Sequence, residues 1–322
     1  MRTYVLRRLL QTIPLLVGIS LITFLLLQLA PGDFLNQMAE NPGISAETIE
    51  AMRVRFGLDK PWYVQYAIYL RNVVFHFDFG QSFARHQPVF EVLSDGFVNT
   101  LILAGAAAFI TWVLAIPLGV VAAVRQHSWI DRALSFLAFV WLSVPEILAA
   151  LLLLMMAART GWFPVGGMRS LDYDELDGIS QFFDILHHLA LPALVVGLIP
   201  LASRMRQMRG SLLDVLRLDY VTTARAKGLS ERTVIVKHAL RNALNPMITL
   251  FGYTLGALVS GSFIVEIIFS WPGLGRITLD AILTQDQYLV MGAVLMASLV
   301  LIIGNLIADL LLAIADPRIS YD

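Results

Sequence analysis

The chain has 322 residues, 57% of them hydrophobic and 15% charged, where soluble domains carry about 25% charged residues. That balance excludes an ordinary soluble domain and indicates an integral membrane protein. The formal net charge of -1 says nothing about a nucleic-acid partner, and none is expected, so the basic residues matter only by where they sit; the lack of cysteine excludes disulfides, thiolate metal sites and cysteine nucleophiles.

Residues 1–8 form a short basic leader with Arg2, Arg7 and Arg8, and residues 9–30 are an apolar run long enough to cross ~30 Å of hydrocarbon. A cleaved signal peptide is the rival reading. The run exceeds the usual h-region of about 7–15 residues, and Pro31 stands where cleavage would be awkward, which favours an uncleaved first helix. The chain then turns polar as far as about residue 96. Ser45 can cap a helix that runs to Arg55, Gly57 ends it, and Asp59 with Pro61 opens another through about Val74. Tyr63, Tyr66, Ile68, Leu70 and Val73 are too interrupted to span a bilayer, so a small helical insert outside the membrane is expected. The run Asp78-Phe79-Gly80-Gln81-Ser82 reads as a turn between helices.

Five further apolar spans follow, over residues 97–124, 133–158, 185–202, 243–268 and 288–315, which with the first make six and an all-α fold. The loop 204–241 holds Arg204, Arg206, Arg209, Arg217, Arg225, Lys227, Arg232, Lys237 and Arg241 against Asp214, Asp219 and Glu231. The loop 161–184 carries Asp172, Asp174, Glu175, Asp177 and Asp184 against Arg169. Lysine and arginine concentrate on the cytoplasmic side of membrane proteins, so both termini and the loop 204–241 are expected inside and the insert outside. The chain thus divides into a leader and first span (1–30), an extracytoplasmic helical insert (31–96), a five-helix transmembrane core that includes the loop 204–241 (97–315), and a cytoplasmic tail (316–322).

Pro14, Pro117, Pro145, Pro192, Pro200 and Pro246 lie within or beside the spans. Each removes a backbone donor, which suits helices that rock around a cavity but also occurs in static membrane proteins. On the fifth span Gly252, Gly256, Ser260 and Gly261 place small residues at helical spacing, which favours close helix packing. Charged groups inside the spans are Glu146, Glu266 and Asp309. Such groups are expensive in hydrocarbon; Glu146 is the candidate for facing a translocation pathway, with satisfied helix packing as its bland alternative. Glu266, near the outer end of its span, is expected to be wet. Trp271 is expected to anchor a tight turn at the membrane interface.

The water-exposed stretch 219–246 is the most informative. Residues up to Lys227 favour helix, Gly228 supplies the left-handed position that ends one, and Ser230 can cap a second helix from Glu231. A basic helix–turn–helix held at a membrane surface is a docking element or, more blandly, an ordinary basic loop. The sequence contains no G-x-x-x-x-G-K-[ST] phosphate loop, no H-E-x-x-H and no nucleophile elbow. The neighbouring His187 and His188 point to different faces of one helix and read as structural, not as a metal site.

The motif order resembles the permeases of ABC importers, in particular the dipeptide, oligopeptide and nickel branch. The stretch Thr223 to Leu229, TARAKGL, resembles that family's "EAA" loop: Ala224 and Gly228 hold its spacing, while Thr222 and Thr223 replace its glutamate and first alanine. Alongside it stand APGD at 30–33 with Phe34 for the family's proline, DFGQS at 78–82, HALRNALNP at 238–246, GSFIVEIIFSWPGLG at 261–275 and ADPRIS at 315–320. The resemblance implies the type I importer permease fold, with six transmembrane helices and a large extracytoplasmic insert after the first. It implies a bacterial cytoplasmic (inner) membrane location and no enzymatic site. It implies a heterodimer with a second homologous permease, two ATPase subunits that carry ATP and Mg, and an extracytoplasmic substrate-binding protein. Thr222, Thr223, Ala224, Arg225, Ala226, Lys227, Gly228 and Leu229 would be the ATPase-coupling residues, with Arg225 and Lys227 meeting an acidic rim. Peptides are the expected cargo, with nickel or another small solute as the alternative. An ion-coupled secondary transporter, which would show inverted repeats and buried carboxylates, and a membrane enzyme, which would need convergent catalytic groups, are the rivals from other classes.

Overall fold

The computed structural model describes residues 2–30, 34–39, 45–55, 57–248, 250–251 and 262–315. In chain order the helices are α1 (Arg2–Leu29), α2 (Phe34–Ala39), α3 (Ala46–Arg55), α4 (Trp62–His76), α5 (Val89–Val124), α6 (Trp129–Ser143), α7 (Glu146–Thr160), α8 (Gly178–Leu216), α9 (Asp219–Ala226), α10 (Glu231–Thr233), α11 (Leu240–Ala243), α12 (Phe263–Ile268), α13 (Leu274–Leu283) and α14 (Gln287–Ala315). A π-helical turn, Val234–Ala239, joins α10 to α11. Among the described residues the β-type pairing is an isolated bridge between Gln81 and Pro88.

Four helices among the described residues, α1, α5, α8 and α14, are long and apolar enough to cross a membrane. The expected span 133–158 is not one straight helix. It is the pair α6 and α7, bent by 102°. The ring of Pro145 disfavours the helical region for the residue before it, and Val144 accordingly sits at φ -86°, ψ 120°. Each half has 15 residues, about 22 Å of helix, which is short of the ~30 Å hydrocarbon thickness, so neither half spans it alone. The expected span 243–268 and its small residues Gly252, Gly256, Ser260 and Gly261 fall largely outside the described residues, as does the side chain of Asp309.

The chain folds as two compact units, Met1–Thr100 with Pro272–Ile302, and Leu101–Trp271 with Ile303–Asp322. In the first, α3 begins after Ser45, whose hydroxyl accepts from the Thr48 amide at 3.2 Å, and α4 begins after Pro61. α4 lies against α1, with the Tyr66 hydroxyl donating to the Val17 carbonyl at 3.1 Å and lying 2.8 Å from Ser20 Oγ. α5 starts at Val89 rather than 97, because Val89, Val92 and Leu93 are already core residues packed with Leu274, Ile277 and Leu289. The DFGQS run is a turn, as its residue types suggest: Asp78 Oδ1 accepts from the Gly80 amide at 2.8 Å. Its serine is tied to a carboxylate that sequence pattern does not single out. Asp286 is fully buried and accepts from Ser82 Oγ at 2.6 Å, the Ala84 amide at 3.0 Å and the Leu289 amide at 3.2 Å.

In the second unit α6 and α7 pack on α8. α8 has 39 residues, about 58 Å at 1.5 Å per residue, roughly twice the hydrocarbon thickness. Its last turns, rich in Arg204, Arg206 and Arg209, therefore lead out of the membrane toward α9. Buried Asp131, in the first turn of α6, receives both arms of the Arg209 fork, Nε to Oδ1 at 2.7 Å and Nη2 to Oδ2 at 2.9 Å.

Two expectations about the outer end of the fifth span are corrected. Glu266 is buried, not wet: it sits on the short helix α12 with its side chain turned inward, accepting from Ser262 Oγ at 2.8 Å. Trp271 is also fully buried rather than interfacial, closing a small core with Leu103, Leu189 and Ala193. His187 and His188 have separate partners, the Trp162 carbonyl for His187 and the Asp184 carbonyl for His188. Among the described residues no cluster of side chains is arranged to hold a metal ion.

Candidate functional site

The basic stretch folds as a small module at the end of α8. Only Arg217 and Leu218 separate α8 from α9. Asp219 opens α9, where a carboxylate complements the positive end of the helix dipole, and the Thr223 hydroxyl donates back to the Asp219 carbonyl at 2.8 Å. Val221 and Ala224, three residues apart and hence on one face, are buried. They share a core with Met208 and Leu212 of α8 and with Val234, Ala239 and Ala243 from the second half of the module. Thr222, Thr223, Arg225, Ala226, Lys227, Gly228 and Leu229 are exposed on the other side.

The turn between the halves is a complete glycine cap. The Gly228 amide donates to the Arg225 carbonyl at 2.9 Å and the Leu229 amide to the Ala224 carbonyl at 3.4 Å, the paired bonds that define a Schellman ending. Gly228 has φ +79° with open space where a Cβ would stand, so glycine is required there by backbone conformation and not by crowding. Ser230 then accepts from the Thr233 amide at 3.4 Å and opens α10. The two halves are clipped together further on, where Asn242 Nδ2 donates to the Tyr220 hydroxyl at 2.6 Å.

The charges are arranged differently from the sequence expectation. Arg225 does not present a free guanidinium: it makes a two-pronged pair with Glu231, Nη2 to Oε1 at 2.7 Å and Nε to Oε2 at 3.1 Å. Glu231 is held below the usual carboxylate range by that guanidinium. This partner was invisible in the sequence because a six-residue separation is not a helical neighbour spacing; the two meet only because Gly228 turns the chain back. Lys227 and Arg232 remain exposed on the same module. Glu146, the pathway candidate, is the half-buried first residue of α7, directly after the Pro145 break. It belongs to the same unit but to a different element from the basic module.

Comparison with known proteins gives the following. Residues 115–321 match the family model for the binding-protein-dependent transport system inner membrane component, and residues 1–104 match the model for the N-terminal part of such membrane components. The chain is 41% identical over 323 aligned residues to the oligopeptide transport system permease protein AppB of Bacillus subtilis (strain 168), covering 100% of both chains. It is 39% identical to the dipeptide transport system permease protein DppB of Escherichia coli (strain K12), covering 100% of this chain and 99% of the relative. A solved structure of the MetNI methionine ABC transporter in inward facing conformations aligns at a TM-score of 0.50 and 20% identity over 69% of this chain and 97% of that one, a likeness of fold.

Proposed function

The chain belongs to the family of binding-protein-dependent transport system inner membrane components, and on that premise we propose that it is one of two permeases forming the translocation pathway of an ATP-driven peptide importer. Its substrates are dipeptides or oligopeptides delivered by an extracytoplasmic binding protein, in keeping with the names of the relatives that match it from end to end. Its partners are a second, homologous permease and two ATPase subunits that bind ATP and Mg; the chain itself contributes no nucleotide site. Both termini and the loop 204–241 face the cytoplasm, and the segment 31–96 faces outward.

The observation that carries this reading is the exposed α9–Gly228–α10 module. It is rigidly capped, rooted on the end of a 39-residue helix, and carries Thr222, Thr223 and the run Arg225 to Leu229 on its free side. Closure of the ATPase pair would push or pull this module. The shared core of Val221, Ala224, Met208 and Leu212 passes that displacement to α8, and the Asp131–Arg209 pair passes it to α6. α6 leads through the Pro145 break into α7, whose half-buried first residue, Glu146, is our candidate for meeting the passing substrate. Two packed arrangements of such helices are what alternating access requires.

The test is reconstitution of the chain in proteoliposomes with its partner permease, ATPases and binding protein. Uptake of radiolabelled di- and tri-alanine that needs every component and ATP, and that vanadate stops, is the expected result. Uptake driven by an ion gradient without ATP would overturn the importer reading, and uptake of nickel without peptide would overturn the substrate.

A further inference from the structure

We infer that Glu231 is a positioning residue for ATPase coupling: it takes up the charge of Arg225 across the Gly228 turn and fixes the angle between α9 and α10, so that Arg225 is an internal strut and not a contact to the partner. The inference rests on the coupling reading of this module and adds a residue and a division of labour to it.

The geometry is specific. Both guanidinium contacts are within hydrogen-bond distance, 2.7 and 3.1 Å, and a planar two-pronged pair fixes direction as well as distance. Its ends lie on either side of the capped turn, Arg225 in the last turn of α9 and Glu231 at the start of α10. The pair is exposed, with side chains at 40% and 57% of full accessibility. Exposed pairs contribute little to global stability, so its role is not to hold the fold, which the buried Val221, Ala224 and Val234 already do. What it controls is the turn at Gly228, where nothing lies within 4 Å of the position a Cβ would take. The pair also sets the charge of the free surface. With Arg225 neutralised, the exposed cations of the module left to meet an acidic partner are Lys227, Arg232, Lys237 and Arg241.

The test uses the reconstituted importer and reads three quantities: the thermal midpoint of the purified complex, the amount of ATPase retained, and peptides of di-alanine transported per ATP hydrolysed. For Glu231→Gln and for Arg225→Gln the expected result is an unchanged midpoint, retained ATPase and a several-fold lower ratio of transport to hydrolysis. The exchanged double variant Arg225→Glu with Glu231→Arg should recover to within about two-fold of the parent, because a reversed pair can still brace the turn. Single variants that couple normally, or an exchanged variant no better than Glu231→Gln, would overturn the strut; the latter would place Arg225 at the partner, where a glutamate repels an acidic rim. Gly228→Val run in parallel separates the two levels. If it uncouples while the Glu231 variants are silent, the strut fails and the module stands; if it too is silent, the coupling reading itself fails.

Discussion

Arg209 and Asp131 are joined through both arms of the guanidinium, at 2.7 and 2.9 Å, and their burial is unequal: the Asp131 side chain is 5% accessible and that of Arg209 27%. The same carboxylate accepts from the His127 amide at 2.9 Å. Removing one partner of a buried pair is costly mainly through the charge left behind. The orphan left by Arg209→Ala is the more buried of the two. That variant is therefore expected to lose about 3–5 kcal/mol, while Asp131→Asn, which keeps an acceptor for His127 and leaves a partly solvated arginine, loses less. Thermal midpoints of the purified chain in one detergent check the order, and a larger loss for Asp131→Asn would contradict it.

A second carboxylate holds a turn together. Asp286 is fully buried and takes donors from Ser82, Ala84 and Leu289. Asp286→Ala strands all three, at roughly 1–3 kcal/mol each, whereas Ser82→Ala removes one of these donors and the acceptor of the part-buried Arg85 amide at 3.0 Å, at about 1 kcal/mol each. Limited proteolysis should therefore cut residues 81–88 more readily in Asp286→Ala than in Ser82→Ala. Equal rates in the two variants would show that Asp286 does not anchor the turn.

The pH dependence of the module follows from Glu231. Pairing with Arg225 lowers its folded-state pKa, so the pair contributes fully above the ordinary glutamate value of about 4.3 and is lost only as pH falls through the lowered one. Parent and Glu231→Gln should consequently differ in coupling by the same factor at pH 6 and pH 8. A difference that shrinks between pH 8 and pH 6 would contradict this assignment of the charge.

Trp271 gives a prediction opposite to the one its position suggests. An interfacial tryptophan is dispensable to the fold, but Trp271 fills a core with Leu103, Leu189 and Ala193, so Trp271→Ala should cost about 3–5 kcal/mol. A variant with an unchanged thermal midpoint would return Trp271 to the surface.

Local chemistry was readable in the sequence wherever one residue decides the backbone. Gly228, Ser230, Ser45, Pro61 and the Asp78 turn each do what their side chain or lack of one dictates, and the apolar runs became the long helices α1, α5, α8 and α14. Hidden were the features that need two distant parts of the chain. Arg225 meets Glu231, Ser82 meets Asp286 and Asp131 meets Arg209 only after folding. The burial of Glu266 and Trp271 was misread for the same reason, since position near a span's end says nothing of which side a neighbouring element covers. Pro145 was legible as a break but not the 102° angle between α6 and α7.

The central claim, that the α9–Gly228–α10 module couples this chain to its ATPases, is tested most directly by Gly228→Val. A β-branched residue at φ +79° is strained by at least about 1–2 kcal/mol, too little to unfold the chain when Gly228 itself is exposed and outside the core but enough to open the Schellman turn. Gly228→Val should insert normally and pair with the second permease while losing ATPase co-purification or transport-coupled ATP hydrolysis. Normal binding-protein-dependent uptake of peptide by this variant would contradict the docking role of the module.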